Sequence, residues 1–349
     1  MFTKHSRRFI IATLVVAFSC LAYGVFSQAA GWASSLSLSS TAGAARMVDA
    51  FEAASGRHPG FRRNHAKGTC LSGRFDSNGN GTEISTATFF RQGSYPFTGR
   101  FSVMGSNPSL NDTHGRLRSL AVAMTAGEEA WRMAMNSVPI FFVNTPEALL
   151  EQLHASVPDP ETGAVDPARM DAFRKAHPEM QPFEQWLDTH RPSTGFDNAA
   201  YYSVNAFRFI DAAGRTQVAR WRMEPEALYA PLSNAQLEAD DPDMLTYGLV
   251  STLAEGPLRW HLILTLALPG DAVNDATKMW STQGHREIDA GVLVIEHLHA
   301  QVDGACRDID FDPLVLPQGI QPSDDPLLRA RSAAYAESHR RRVKESGGR

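Results

Sequence analysis

Cysteine is nearly absent from this 349-residue sequence, which has three. There is no C-x-x-C pair, no C-x-x-C-H and no H-E-x-x-H. Their absence removes thiolate zinc sites, covalent haem attachment of the c type and histidine-pair zinc hydrolysis from consideration. Long basic stretches are missing too, and the net charge is -5. Nucleic acid is therefore not an expected partner. No internal repeat divides the chain.

What is present begins at the N-terminus. Lys4, Arg7 and Arg8 precede an apolar run from Phe9 to Phe26, followed by Ser27, Ala29 and Ala30. Basic, then apolar, then small is the order of a secretory signal, with cleavage near Ala29 or Ala30. The run approaches the length of a membrane span, so an uncleaved anchor is the alternative. Ala17 and Phe18 make Cys20 a poor lipidation site. The expected organisation is thus a signal or anchor over residues 1–30 and one domain over 31–349. An exported, periplasmic chain keeps Cys70 and Cys306, which either pair in an oxidising compartment or sit as two buried thiols.

The coarse reading is α+β. Ala44–Ala54 is helical in character, and residues 58–104 read as turns and strands. Leu120–Asn136 carries Ala, Met and Trp at helical spacing, with a possible interruption at Thr125–Gly127. Thr145 caps a helix that has Pro146 at its first position. Residues 158–167 form a surface loop and 168–190 look helical. Ala219, Trp221 and Met223 alternate with Arg220 and Arg222 after a turn at Asp211–Gly214, a hairpin signal. Trp260 to Leu268 alternates as well, and Ala290–Ile295 is a further strand. Asp76-Ser77-Asn78-Gly79-Asn80-Gly81 starts like a calcium loop. Its twelfth position is Ala87 where a glutamate belongs, so it reads as a polar turn.

The last element is the most informative. Ser323 and Pro326 suit a helix start, and the helix should reach about Val343. Arg331, Tyr335, His339 and Arg342 fall on one face of it. Such a stripe is poorly suited to packing and well suited to an anion or a metal.

A second cluster, Arg62-Arg63-Asn64-His65-Ala66-Lys67-Gly68, resembles the distal-histidine segment of the catalases. Further matches follow in the same order: Arg100-Phe101-Ser102, then Asn136 with Pro139-Ile140-Phe141-Phe142, and Phe207–Asp211 through Trp221. Asp275–Trp280 and Pro322–Asp325 through Tyr335 complete the series. The chain lacks the N-terminal arm and wrapping segment of the larger catalases and is similar to the small catalase-related peroxidases. The resemblance implies a catalase-like antiparallel β-barrel with surrounding helices and a pocket for haem b.

It also implies roles. Tyr335 would be the axial iron ligand, since a ferric ion holds a phenol ionised. Arg331 would hydrogen-bond the phenolate, favouring higher oxidation states of the iron. His65 would move the peroxide proton, work suited to a near-neutral pKa. Asn136 would orient the peroxide, and Ser102 would bond the other nitrogen of His65. Arg62, Arg100 and Arg342 would bind the propionates. Phe142, with Phe141, would wall the distal side, and His339 would join the cofactor contacts.

Departures from the family pattern are Asn205, where a histidine usually supports the proximal arginine, together with Leu149, Val103 and Met104. Asp325 is retained. These changes predict weaker support of Arg331 and a more open pocket. The expected activity is reduction of hydrogen peroxide or a small organic peroxide with an organic electron donor. The alternatives are a true catalase and an exported haem-binding protein without turnover. A monomer or dimer is expected.

Overall fold

A computed structural model describes residues 38–347, apart from 240 and 282. The proposed signal or anchor at residues 1–30 lies outside the described residues. Strands are β1 (Gly68–Ser77), β2 (Gly93–Val103), β3 (Arg118–Ala126), β4 (Glu129–Asn136), β5 (Tyr201–Tyr202), β6 (Phe207–Ile210), β7 (Thr216–Pro225), β8 (Leu258–Leu266), β9 (Glu287–His299) and β10 (Ile320–Pro322). Helices are α1 (Thr41–Ser55), α2 (Pro146–Ala155), α3 (Pro167–Ala176), α4 (Gln181–Thr189), α5 (Asn234–Glu238), α6 (Met244–Glu255) and α7 (Pro326–Glu345).

Antiparallel pairing runs β7-β5-β4-β3-β2-β1-β9-β8, and β8 pairs back with β7, so the sheet closes into a barrel. Closure leaves those strands without open edges. β6 and β10 extend the sheet beside β7. Period-two alternation fills the interior. Leu120, Val122 and Met124 on β3 and Trp131, Met133 and Met135 on β4 all point inward and are buried. Phe101 stacks on Phe196 at 4.9 Å, and Trp131 meets Trp221 edge to face at 5.4 Å. Full burial of each such side chain is worth about 1.5–3 kcal/mol.

The helix expected over Leu120–Asn136 is instead the β3–β4 hairpin. Ala126 pairs with Glu129, and Gly127 at φ 62 makes the turn between them. Interspersed alanines satisfy both periods, and the two-residue glycine turn decides for strands.

Other expectations hold. The Thr145 hydroxyl accepts from the Ala148 amide at 3.2 Å with Pro146 at the first turn. The Asp211 carboxylate caps the β6–β7 turn by accepting from Ala213 and Arg215. Gly79, at φ 92, makes the polar turn after β1. The cap of α7 lies two residues beyond Ser323. Asp325 Oδ1 accepts from the Leu327 amide at 2.9 Å, and Pro326 follows at the first helical position.

Helices α1, α2 and α7 pack around a second apolar cluster containing Met47, Leu149 and Ala334. Buried Arg63 ties α1 to α7, reaching Glu52 at 2.7 Å and Glu345 at 2.6 Å. The functional cavity opens between these helices and the outer wall of the barrel.

Candidate active site

Alternation that sends Leu120 and Met135 inward sends Ser119, Ala121, Ala134 and Asn136 outward. The strand register places Ser102 opposite Ser119, and Ser119 opposite Asn136. Cross-strand partners share a face, so these residues form one polar row across β2, β3 and β4. In the next row Arg100 lies opposite Ala121, which lies opposite Ala134. The alanines leave space beside the guanidinium. This wall bounds a cavity of about 480 Å³, within the roughly 300–1,000 Å³ typical of ligand sites.

His65 enters from the loop before β1. Its backbone has φ 56, a left-handed conformation uncommon outside glycine. Asn64 Oδ1 holds it there, accepting from the His65 amide at 2.9 Å and the Gly105 amide at 3.0 Å. The Ala66 amide donates to the Gly105 carbonyl, and the Ala66 carbonyl accepts from Arg100 and Gln301. Gly68 ends the segment where no larger residue fits. A Cβ there would stand 2.2 Å from the Phe101 carbonyl oxygen and 2.6 Å from Arg100 Nη2.

The side chain of His65 is sequestered apart from its cavity face. Burial, then the charges of Arg100, Arg331 and Arg62, pushes its pKa down to about 3. The expected near-neutral value is therefore replaced by an imidazole held neutral. Its Nδ1 lies 3.1 Å from Ser119 Oγ, which lies 2.7 Å from Asn136 Oδ1. The expectation that Ser102 fills this position is corrected. Ser102 lines the cavity, but Ser119, one strand closer to Asn136, bonds the histidine.

Tyr335 and Arg331 line the cavity from α7. Arg331 Nη1 donates to Asn205 Oδ1, and Asn205 Nδ2 donates to Asp325 Oδ2 at 2.8 Å. The expected weakening of Arg331 support is not what the geometry shows, because an amide both accepts and donates and so completes the link. Asn205 is presented by a tight turn: its amide donates to the Ser203 carbonyl at 2.7 Å around Val204 at φ 63. A β-branched residue in that region is strained, and Val204 lines the same cavity.

Arginines dominate the cavity's polar lining. Arg62 Nη2 donates to the carbonyls of Cys306 and Ile309 at 2.9 and 2.8 Å. Arg100 is held by Gln301 and Ala66. Arg342 Nε and Nη2 are buried with no hydrogen-bond partner among the described residues. Burial lowers the affinity of all three groups for their protons, and the charge of Arg342 adds to it for Arg62 and Arg100; Arg62 falls to about 9, with Asp310 opposing the push on Arg62 and Arg342. The site is short of negative charge.

His65, Asn136, Ser102, Arg62, Arg100, Phe142, Arg331, Arg342 and Tyr335 all line this one cavity. His339 does not. Its Nε2 meets the Asp308 carbonyl at 2.9 Å, which fastens α7 to the loop after β9. The deviation from strict helical phase turns it from the cofactor side. Sequence reading missed Ser119 and Asn64. The alternation of β3 would have placed Ser119 outward beside Asn136, had the segment been read as a hairpin. Leu149 lines the cavity, and Met104, 37% exposed, stands at its rim. Cys70 and Cys306 are joined in a disulfide.

Barrel, polar row and facing tyrosine helix define a catalase-type architecture. The sequence model of the family described as Catalase matches residues 52–346, and the chain belongs to that family. It is 34% identical to a catalase-related peroxidase of Synechococcus elongatus over 300 residues, 86% of this chain and 88% of that protein. A catalase-related peroxidase of Mycolicibacterium paratuberculosis is 29% identical over 293 residues, 83% of this chain and 92% of that one. The catalase of Cavia porcellus is 26% identical over 298 residues, 80% of this chain but 55% of the relative. A fungal catalase crystal structure shares the fold, with a TM-score of 0.75 at 20% identity, covering 82% of this chain and 60% of that one.

Proposed function

We propose that the protein is a haem peroxidase, an oxidoreductase that reduces hydrogen peroxide or a small organic peroxide with an organic electron donor. The observation that carries this is the shared cavity of His65, Asn136 and Tyr335, edged by Arg62, Arg100 and Arg342. The donor set fits a haem. The orphaned buried nitrogens of Arg342 call for an anion, and two propionates supply the charge the arginines lack. Tyr335 would hold the ferric ion and Arg331 would support it. Cys70 and Cys306 bond each other, so neither is free for a thioether link, and the haem proposed is haem b, which needs none.

When bound, the haem supplies the two-electron redox chemistry. Neutral His65 accepts the proton of the attacking peroxide oxygen and returns it to the leaving oxygen, which departs as water or an alcohol. Asn136 orients the peroxide without adding charge. The phenylalanine pair Phe141 and Phe142, 4.3 Å apart, keeps water from one side.

The closed disulfide suits an oxidising compartment, which supports export to the periplasm, with the N-terminal segment as signal or anchor. Among the described residues no helix is long and apolar enough to cross a membrane. The test is an absorption spectrum of haem-supplied protein, followed by peroxide and a chromogenic donor. Donor oxidation exceeding oxygen release is expected. Rapid oxygen release alone would mark a true catalase, and failure to bind haem would refute the assignment.

A further inference from the structure

Ser119 stands between the two polar residues of the barrel wall, 2.7 Å from Asn136 Oδ1 and 3.1 Å from His65 Nδ1. A hydroxyl has one proton to give and lone pairs to receive. Asn136 Oδ1 only accepts, so the Ser119 proton is committed to it. What Ser119 Oγ offers His65 is a lone pair, and only a protonated Nδ1 can use it. A neutral imidazole with its proton on Nδ1 has a bare Nε2, the form needed to take a proton. Asn136, its oxygen engaged, keeps its NH₂ group as the free end.

The opposite arrangement is also self-consistent. With the Asn136 amide turned over, its nitrogen would donate to Ser119, Ser119 would donate to Nδ1, and the proton of His65 would sit on Nε2. That state presents an acceptor where a peroxide needs a donor, and a donor where it needs a base. The two residues therefore switch together, through one hydroxyl.

We propose that Ser119 is a positioning residue whose single proton couples the amide orientation of Asn136 to the tautomer of His65. This rests on the peroxidase reading above and adds to it a residue that the sequence did not single out. The setting suits the task. Ser119 is 6% exposed on a strand paired on both sides, and its neighbour Leu120 is anchored in the barrel interior. A group held by such a scaffold keeps its geometry better than one on a loop.

The test compares Ser119→Thr with Ser119→Val in the haem-loaded protein. The two side chains have nearly one shape and differ in the hydroxyl. Two quantities are read: the association rate of cyanide, which as HCN must give up its proton to bind, and the rate of the first reaction with hydrogen peroxide. Ser119→Thr should react within a few-fold of the unaltered protein, and Ser119→Val should be slower in both by about 10- to 100-fold, the loss seen when a metal-bound histidine loses the partner that fixes its tautomer. Equal rates in both variants, whether slow or fast, overturn the proposal, because the hydroxyl would then be immaterial. So does a loss confined to Ser102→Ala, which would move the role to β2. An unaltered protein that binds haem and cyanide but reduces no peroxide defeats the peroxidase reading. The cyanide comparison still decides the role of Ser119.

Discussion

Asn205 Nδ2 donates to Asp325 Oδ2 across 2.8 Å, and so ties the turn before β6 to the first turn of α7. Asp325 serves twice, since its other oxygen caps the helix through the Leu327 amide. Burial pushes the Asp325 carboxyl up, and the Asn205 hydrogen bond opposes that push. Asn205→Ala leaves a buried carboxylate short of a donor and Arg331 short of an acceptor. The expected loss is about 1–3 kcal/mol, read as a lower midpoint in urea. With haem bound, the iron reduction potential should also move, because Arg331 loses its fixed orientation. Asn205→His, which offers both a donor and an acceptor, should recover much of the stability.

Arg342 gives a prediction of opposite signs. Its buried Nε and Nη2 have no hydrogen-bond partner among the described residues, so its charge is a burden on the haem-free fold. Arg342→Met should raise the melting temperature of haem-free protein and weaken haem retention. A charge-assisted hydrogen bond is worth about 1.5–3 kcal/mol, which corresponds to roughly 10- to 150-fold in affinity. Differential scanning calorimetry and haem titration measure the two sides. Haem binding left unaltered would remove the anion-binding role.

Much of this site is legible in the residues, and the limits have physical causes. His65, Asn136 and Tyr335 stand in short segments whose residue types announce chemistry, and all three reach the cavity. Thr145-Pro146 announces a helix start because cap and proline act locally. Leu120–Asn136 does not reveal its hairpin, because Ala and Met suit either period. Ser119 is concealed with it, since its importance depends on which face of a strand it occupies. His339 shows the reverse, since helical spacing does not distinguish a cavity from a loop packed on the same side. The Cys70–Cys306 pairing does not follow from the residues, because 236 residues separate the two and only the barrel brings β1 to the loop after β9.

His65 sets the pH behaviour. Its folded pKa of about 3 lies below the ordinary 6.5. Between those values the unfolded chain takes up a proton that the folded chain refuses, so stability falls as pH falls through the window. Glu337 and Glu345, held down to about 2 by their arginines, add stability above about 4.5 that is lost as pH falls toward 2. The base, however, stays unprotonated. The second-order rate with hydrogen peroxide should be level from about pH 8 to about pH 5, unlike a free imidazole. A midpoint near the ordinary value, abolished in His65→Gln, would show that the imidazole is not held neutral.

Gly68 is confined by space. Its Cβ would collide with a backbone oxygen at 2.2 Å and with Arg100 Nη2 at 2.6 Å. The oxygen belongs to the β1–β2 ladder and cannot move alone, so the guanidinium and the strand must both shift. Gly68→Ala should cost at least about 1–3 kcal/mol and reduce haem retention in proportion to the displacement of Arg100. Denaturant unfolding and haem titration should change together; stability lost with haem affinity intact would place the strain elsewhere.

The disulfide ties the same region from the other side. Cys306 sits in the loop whose Cys306 and Ile309 carbonyls receive Arg62, and whose Asp308 carbonyl meets His339 on α7. Cys70 lies on β1, opposite Arg100 in the strand register. Reduction therefore frees a loop that holds one cavity arginine and braces the tyrosine helix. Losing the bond should cost about 2–5 kcal/mol. Reduced protein, or a Cys70→Ser and Cys306→Ser double variant, should melt earlier. It should also release haem faster to a scavenging apoglobin, because Arg62 loses its two carbonyl partners' fixed positions. If only the melting temperature changed, the loop would hold its shape without the bond, and the disulfide would be a staple of the fold rather than a support of the site.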